Sequence, residues 1–515
     1  MKKTLWTIAG SDSGGGAGIQ ADIKTMASFG LQGSTVITVL TAQNSAQVLA
    51  INPVSIKLLN SQLSALEQDK LPQVIKIGLL ANIEQVEFIV KKITHYKNTW
   101  SKAPLIVYDP VAVASTGDSL VEEDTLAIIK EKLLPLIDVL TPNTAETQRI
   151  TGVYLISSQA VIDAANAFKK LGVKAVVIKG GHWDVIDGYC IDFATEFTVN
   201  HSSEQYYWLA SKNIATMHTH GTGCSFASVI AACLTLDYPF KDAFILAKAY
   251  INQGLKVAKQ IAYGEGSVAH LGFPENLNDF PEIVEPHSPL AQALALDYNG
   301  EKQRHAELVS ISGFPQCKQP LGLYAVVDSL NWLELCLEQG IKTVQLRIKN
   351  KDTPQLSDNI VQAVKLAEKH KAQLFINDHW QLAIEHGAYG VHLGQEDLVN
   401  ADLAAIKTAG LRLGISTHGF YEMLQAHYYQ PSYMAFGAVY PTPTKDMRGQ
   451  IQGLGKLKHF VPLMKQYSCV AIGGINLERV DEVLKTGIKN IAVVSAITKA
   501  DDAKQAIKQL LGKIK

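Results

Sequence analysis

Short apolar runs alternate with helical periodicity along most of this chain. The runs Leu5–Ala9, Thr35–Leu40, Val74–Ile77, Leu105–Tyr108, Ile137–Leu140 and Val173–Ile178 have strand length, and most end in a small polar or glycine motif. Between them, sets such as Ile19, Ile23 and Met26, or Ile56, Leu59, Leu63 and Leu66, recur at the spacing of one helix face. This alternation predicts a mostly parallel sheet covered by helices on both sides, a three-layer α/β/α domain.

From Leu321 the rhythm resumes with eight further runs: Leu323–Val327, Thr343–Leu346, Leu374–Ile376, Gly390–Leu393, Leu411–Ile415, Tyr433–Phe436, Cys469–Ile472 and Ile491–Val494. Eight strand–helix units in roughly 200 residues are the repeat of a (β/α)8 TIM barrel. Between Pro274 and Pro320 the rhythm lapses. Leu290 and Leu294 mark one short amphipathic helix there, and Glu301-Lys302-Gln303-Arg304-His305 is a charged patch. The expected division is therefore 1–273, a linker at 274–320, and 321–515.

Composition changes this picture little but excludes several functions. With 515 residues the chain exceeds one core, and a net charge of −1 argues against a nucleic-acid or anionic-membrane partner. The six cysteines, Cys190, Cys224, Cys233, Cys317, Cys336 and Cys469, form no CxxC pair, which suits neither a zinc site nor a disulfide framework. No run approaches the ~18 apolar residues of a membrane span, and the start of the chain reads as a strand. A cytoplasmic protein is expected. Any phosphate site must be local.

Several loops supply such sites. Gly10-Ser11-Asp12-Ser13-Gly14-Gly15-Gly16-Ala17-Gly18 joins the first strand to a helix, which is how a backbone is brought close to a ligand. Thr219-His220-Gly221-Thr222-Gly223-Cys224-Ser225 precedes the apolar helix Phe226 to Leu234. Consecutive N–H groups at such a helix start form an anion hole, and a thiol in that first turn can have its pKa lowered. A buried cysteine behind a glycine turn is the alternative for Cys224, and a helix N-cap after Pro142 is the alternative for Asn143.

With Thr41-Ala42-Gln43-Asn44 and Lys179-Gly180-Gly181-His182, these loops resemble hydroxymethylpyrimidine/phosphomethylpyrimidine kinase, of the ribokinase-like fold. The resemblance implies two ATP-dependent phosphorylations of hydroxymethylpyrimidine. It implies that Gly10, Asp22 and Gln43 hold the aminopyrimidine and that Gly221, Gly223 and Cys224 neutralise the transferring phosphoryl group. Lys179 would contact ATP phosphates, with Asn143 and Glu146 helping to place phosphate and Mg2+. Many ribokinase relatives carry an Asp base where this chain has Cys224.

In the second half, polar residues gather at the strand ends, where barrel chemistry sits. Gln345-Leu346-Arg347-Ile348-Lys349 follows strand two, Asn377-Asp378 strand three and Gly394-Gln395-Glu396-Asp397 strand four. Ser416, Pro441-Thr442-Pro443-Thr444-Lys445, Gly473-Gly474 and Ser495-Ala496 follow the remaining strands. Asp378 and Asp397 on neighbouring strand ends suit one Mg2+ completed by phosphate oxygens, and Arg347, Lys349 and Lys445 converge on the same mouth.

These motifs resemble thiamine phosphate synthase. The resemblance implies that Gln345, Leu346, Arg347, Ile348, Lys349, Asn377, Ser416 and Lys445 bind pyrimidine diphosphate, with Mg2+ on Asp378 and Asp397. Thr442, Pro443, Thr444, Gly474, Val494 and Ser495 would bind thiazole phosphate. Ile348 and His379 depart from the Glu and Arg common in relatives. The expected ligands are thus hydroxymethylpyrimidine, ATP and thiazole phosphate, with a homo-oligomer compatible with the sequence. A pyridoxal-type kinase joined to a phosphosugar-type barrel is the competing reading. Gln43 with Asp22 and the Pro-Thr-Pro-Thr-Lys loop argue against it.

Overall fold

Trp6 and Thr7 are neighbours on strand β1 (Leu5–Asp12), and they serve opposite sides of one sheet. The Trp6 ring meets Tyr96 of the helix Ile83–Thr99 edge-on, with centroids 6.4 Å apart. Thr7 Oγ1 donates to Asp22 of the helix Gly18–Ser28 at 2.6 Å. The first half is therefore layered helix–sheet–helix, as its alternating pattern predicts.

In the computed structural model, the residues described are 3–44, 47–111, 121–181, 186–197, 205–260, 266–285, 288–296, 313–349, 355–442 and 451–514. The chain divides into two units, Met1–Asn299 and Gly300–Lys515.

The first unit's sheet also contains β2 (Gly33–Gln43), β3 (Val48–Pro53), β4 (Val74–Ile77), β5 (Leu105–Tyr108), β6 (Val139–Leu140), β7 (Ala175–Ile178), β8 (Tyr189–Glu196), β9 (Gln205–Lys212) and β10 (Glu282–Ile283). Their order is β10-β9-β8-β7-β6-β5-β4-β1-β2-β3. The centre, from β2 across to β7, is parallel, and its strands are the apolar runs of the sequence. Both edges are antiparallel, which the rhythm does not predict. Strand β3 is mostly exposed, β8 carries a buried Asp192, and β10 has two residues, so none presents a clean apolar run.

β10 also corrects the expected linker. Glu282 pairs with Ala210 and Ile283 with Leu209, Asn252 Nδ2 donates to the Asp279 carbonyl at 2.9 Å, and Leu294 is buried. Residues 274–285 and 288–296 are thus part of the first unit. At the far end, Phe314 N–H donates to the Gln430 carbonyl (3.0 Å) and Ser432 Oγ to the Pro315 carbonyl (2.6 Å), so 313–320 belongs to the barrel unit. The charged patch at 301–305 lies outside the described residues.

The second unit is a closed parallel barrel of β11 (Leu323–Val327), β12 (Thr343–Leu346), β13 (Gln373–Asn377), β14 (Gly390–Leu393), β15 (Arg412–Thr417), β16 (Tyr433–Phe436), β17 (Ser468–Ala471) and β18 (Asn490–Val493). All eight expected strands are present, displaced by two residues or fewer. Each is buried on both faces, so a continuous apolar run is a direct signature of it. Tyr324, Val326, Phe375, Tyr433, Ala435 and Val470 belong to one buried cluster.

Candidate active sites

In the first unit a cavity of about 730 Å³ opens at the strand ends, and its lining includes Gly10, Gln43, Lys212 and Leu255. Asp12 organises its floor. The carboxylate accepts from the N–H groups of Gly14 (2.8 Å), Gly16 (3.0 Å) and Ala17 (2.8 Å), and lies 3.0 Å from His220 Nε2. Burial pushes Asp12 up, but His220 and these amides outweigh it and hold its pKa below the usual range. One aspartate thereby fastens the first glycine loop to the second.

Gly221 begins the helix Thr222–Thr235 in the left-handed region (φ 82°), and a Cβ there would lie 1.8 Å from the Gly16 carbonyl oxygen. Only glycine fits. Beside Gly223, Lys179 Nζ donates to Asp109 Oδ1 at 2.8 Å, and Thr141 Oγ1 donates to the same oxygen at 3.1 Å. Burial opposes the charge on Lys179, but Asp109 and Glu146 hold it above the ordinary lysine value. A fixed ammonium thus faces the anion-hole turn, which is where phosphoryl charge would need it.

The expected residues meet different fates. Gly10, Gln43, Asn143, Glu146, Lys179, Gly221, Gly223 and Cys224 all line the cavity. Asn143 is also an N-cap: Asn143 and Glu146 form a reciprocal capping box, each side chain accepting from the other's N–H at 2.8 Å. Asp22 does not line the cavity. It is fully buried, accepting from Lys76 (3.0 Å to each oxygen), Thr7 and Ser228 (2.6 Å each). Lys76 lines the cavity in its place, pointing from the middle of a strand that reads as apolar. Cys224 does not have the lowered pKa expected of a helix start. Burial, with Asp22 and Asp109 nearby, pushes its thiol up to about 11 against the opposing pull of Lys76.

Lys248 and Asp192, also missed, line the cavity as a buried pair at 2.7 Å, with Lys248 donating to Cys190 Sγ at 3.0 Å. Asp12, Asp109 and His220 had a legible signal, since each sits in a strand-end or glycine motif.

In the barrel, the strand ends bring Asp378 and Asp397 together. Burial first, then the charge of Asp397 and a hydrogen bond to it, raises Asp378 to about 6, with Arg347 and His379 opposing. Asp378 has left-handed backbone (φ 64°), rare for a residue with a side chain and compatible with a functional constraint. Asn377 Nδ2 donates to Asp378. Two neighbouring carboxylates at one strand-end mouth are a donor set that a divalent cation fits, with further oxygens coming from substrate. Among the described residues no cluster of three or more metal-ligating side chains occurs.

Around this pair, Gln345 is buried on β12, Arg347 is half-buried and Lys349 is exposed. Leu346 is buried in the barrel wall, which leaves only its backbone near the mouth. His379 Nε2 lies 2.9 Å from the Ile348 carbonyl, so these two positions meet each other. Ser416 Oγ lies 2.8 Å from His392 Nε2, and Gln395 Nε2 donates to the Ser416 carbonyl at 2.6 Å. Gly474 also has a left-handed backbone (φ 63°) and packs against the Pro441 carbonyl. Arg479, which the motifs do not reveal, donates to the Gly474 carbonyl at 2.8 Å and stacks on Tyr440. Thr442, Val494 and Ser495 are half-buried at the same strand ends, while Pro443, Thr444 and Lys445 lie outside the described residues.

Comparison with known proteins agrees with both halves. The family described as phosphomethylpyrimidine kinase matches residues 12–269, and that described as thiamine monophosphate synthase matches residues 323–497. A thiamine-phosphate synthase of Yersinia pseudotuberculosis is 57% identical over 39% of this chain and 93% of its own length. A solved phosphomethylpyrimidine kinase from Clostridium difficile is 32% identical, covering 50% of this chain and 100% of its own, with a TM-score of 0.42. A Bacillus subtilis pyridoxal kinase is 28% identical over 52% of this chain and 98% of its own, with a TM-score of 0.46. The described helices include none long and apolar enough to cross a membrane. The chain belongs to the phosphomethylpyrimidine kinase family in its first half and to the thiamine-phosphate synthase family in its second, and is a two-enzyme polypeptide of thiamine biosynthesis.

Proposed function

We propose that the first unit phosphorylates hydroxymethylpyrimidine twice with ATP, and that the second couples the diphosphate to thiazole phosphate, giving thiamine phosphate and pyrophosphate. The reading assigns residues 1–296 to the kinase domain and 313–515 to the synthase domain of a cytoplasmic enzyme. The observation that carries it is the neighbouring carboxylates Asp378 and Asp397 at the barrel mouth, with Arg347 close enough to oppose their mutual repulsion.

In the kinase, Gly10 and Gln43 hold the aminopyrimidine, and Lys76 completes that wall. Lys179, kept charged by Asp109, steadies the nucleotide phosphates while the Gly221–Cys224 turn receives charge on the moving phosphoryl group. Asn143 and Glu146 lie beside Lys179, where they would help place phosphate and cation. Cys224 enters through its backbone, because its thiol keeps its proton at neutral pH.

In the synthase, Gln345 and Asn377 hold the pyrimidine while Arg347, Lys349, Ser416 and Lys445 hold its diphosphate. Asp378 and Asp397 would carry Mg2+, which when bound would supply positive charge against the pyrophosphate oxygens. Thr442, Pro443, Thr444, Gly474, Val494 and Ser495 seat the thiazole phosphate. The electron-rich aminopyrimidine stabilises the cation left on its methylene carbon, and the thiazole nitrogen captures it. No protein nucleophile is required.

One assay tests the whole reading. Purified protein with hydroxymethylpyrimidine, ATP, Mg2+ and thiazole phosphate is expected to form thiamine phosphate. Product only when pyrimidine diphosphate is supplied would remove the kinase half, and no product in either case would remove both.

A further inference from the structure

Five polar side chains from five strands form one hydrogen-bonded chain across the barrel interior. Ser416 Oγ lies 2.8 Å from His392 Nε2, His392 Nδ1 lies 2.7 Å from Tyr433 Oη, and Tyr433 Oη lies 2.8 Å from Tyr324 Oη. Gln345 Nε2 donates to Tyr324 Oη at 3.2 Å. His392, Tyr433 and Tyr324 are all buried, and the imidazole stacks on the Tyr433 ring at 20°. Gly414 permits the crossing, since a Cβ there would lie 2.4 Å from Tyr433 Oη.

Hydrogen counting gives this chain a direction. Each tyrosine has one O–H, and a neutral imidazole, as burial makes His392, has one N–H. With Gln345 Nε2 donating, the arrangement that uses every buried hydrogen has Tyr324 donating to Tyr433, Tyr433 to His392 Nδ1, and His392 Nε2–H to Ser416 Oγ. The Ser416 hydrogen is then free to point outward, and Gln345 presents its carbonyl oxygen. In the opposite polarity every hydrogen turns and the Gln345 amide rotates. Ser416 then spends its hydrogen on His392, and Gln345 presents its NH2. Mixed states strand a buried donor, which a closed interior penalises.

We infer that this chain is a polarity relay that couples recognition of the diphosphate to recognition of the pyrimidine. An anion at Ser416 demands an outward hydrogen, and through Tyr433 and Tyr324 that choice sets Gln345 to accept from the exocyclic amine of the substrate. Tyr324, Tyr433 and His392 are positioning residues for a site read as one unit. The inference rests on the proposed roles of Ser416 and Gln345 as substrate contacts.

The histidine tautomer is the direct readout. Full-length protein carrying 15N-histidine is titrated with inorganic pyrophosphate and Mg2+, and the His392 signals are identified by their loss in His392→Gln. The expected result is the Nε2–H tautomer with an unprotonated, hydrogen-bonded Nδ1. An Nδ1–H tautomer with pyrophosphate bound overturns the relay while leaving the site reading intact. Pyrophosphate that does not bind overturns the site reading, and the relay with it. As a second measurement, Tyr433→Phe keeps the ring but cuts the chain. Wild type is expected to prefer pyrimidine diphosphate over its analogue with hydrogen in place of the exocyclic amine, and Tyr433→Phe to lose about tenfold of that kcat/KM preference. An equal loss for both substrates would mark Tyr433 as merely structural and overturn the coupling. Should the variant not fold, the tautomer still decides.

Discussion

Lys76 Nζ lies 3.0 Å from each carboxylate oxygen of Asp22, and neither side chain is exposed to solvent. Desolvating two charges costs much of what their attraction returns, so such a pair matters most when one partner is removed. Asp22→Ala and Lys76→Met are each expected to lower the stability of the first unit by about 3–5 kcal/mol, with the double variant costing clearly less than the sum. Urea unfolding followed through the Trp6 environment measures the cycle. Additive losses would mean that the two side chains stabilise the fold independently.

The Asp378–Asp397 pair leads to a prediction with an unusual sign. Asp378 has a folded pKa of about 6, above that of an unfolded aspartate. Through the window from about pH 4 to pH 6 the folded protein keeps a proton that the unfolded chain has released, so stability falls as pH rises. Asp378→Asn, whose side chain tolerates the left-handed backbone, is expected to raise barrel stability at pH 7.5 without Mg2+ by roughly 1 kcal/mol, a figure reduced for solvent at the mouth. The gain should vanish below pH 4. The same variant should lose coupling and keep the kinase step. Calorimetry at both pH values, with and without Mg2+, checks it, and a variant less stable than wild type at pH 7.5 would contradict it.

Asn143 separates a cap from a ligand contact. Its carbonyl oxygen caps the helix Thr144–Thr151, so Asn143→Ala should cost ~1 kcal/mol, while Asn143→Ser should retain most of the cap. If the amide also touches substrate phosphate or cation, Asn143→Ser will still lose kinase kcat. Full kinase activity in a stable Asn143→Ser protein would reduce Asn143 to its capping role.

Cys224 offers a test by reactivity. With its thiol at about 11, alkylation at pH 7.5 should be slow and should accelerate about tenfold per pH unit until pH approaches that value. Peptide mass spectrometry after timed iodoacetamide exposure isolates Cys224 from the other five cysteines. Rapid, pH-independent labelling near pH 7 would show a thiolate and return Cys224 to the position of a base.

The barrel was the more legible half. Its strands are buried on both faces, so hydrophobicity alone marks them, and the strand-end rule then points at Asp378, Asp397 and Gly474. The first unit's parallel centre was legible for the same reason. Its antiparallel edges were not, because Asp192 sits inside β8 and β3 is largely exposed. Part of the stretch between the halves reads as a linker because two residues of β10 are too short to leave a pattern.

The two architectures, the phosphate-type loops and the families are legible from local periodicity and from motifs contiguous along the chain. Which polar residues are partners depends on how the elements come together in space. Asp22 is 54 positions from Lys76 and 206 from Ser228, and nothing local distinguishes its carboxylate from one in a binding site. The relay from Ser416 to Gln345 likewise exists only once the strands close and Gly414 lets the Tyr433 ring cross the interior. Burial follows from the whole fold, and it is burial that keeps the Cys224 thiol protonated and the His392 imidazole neutral.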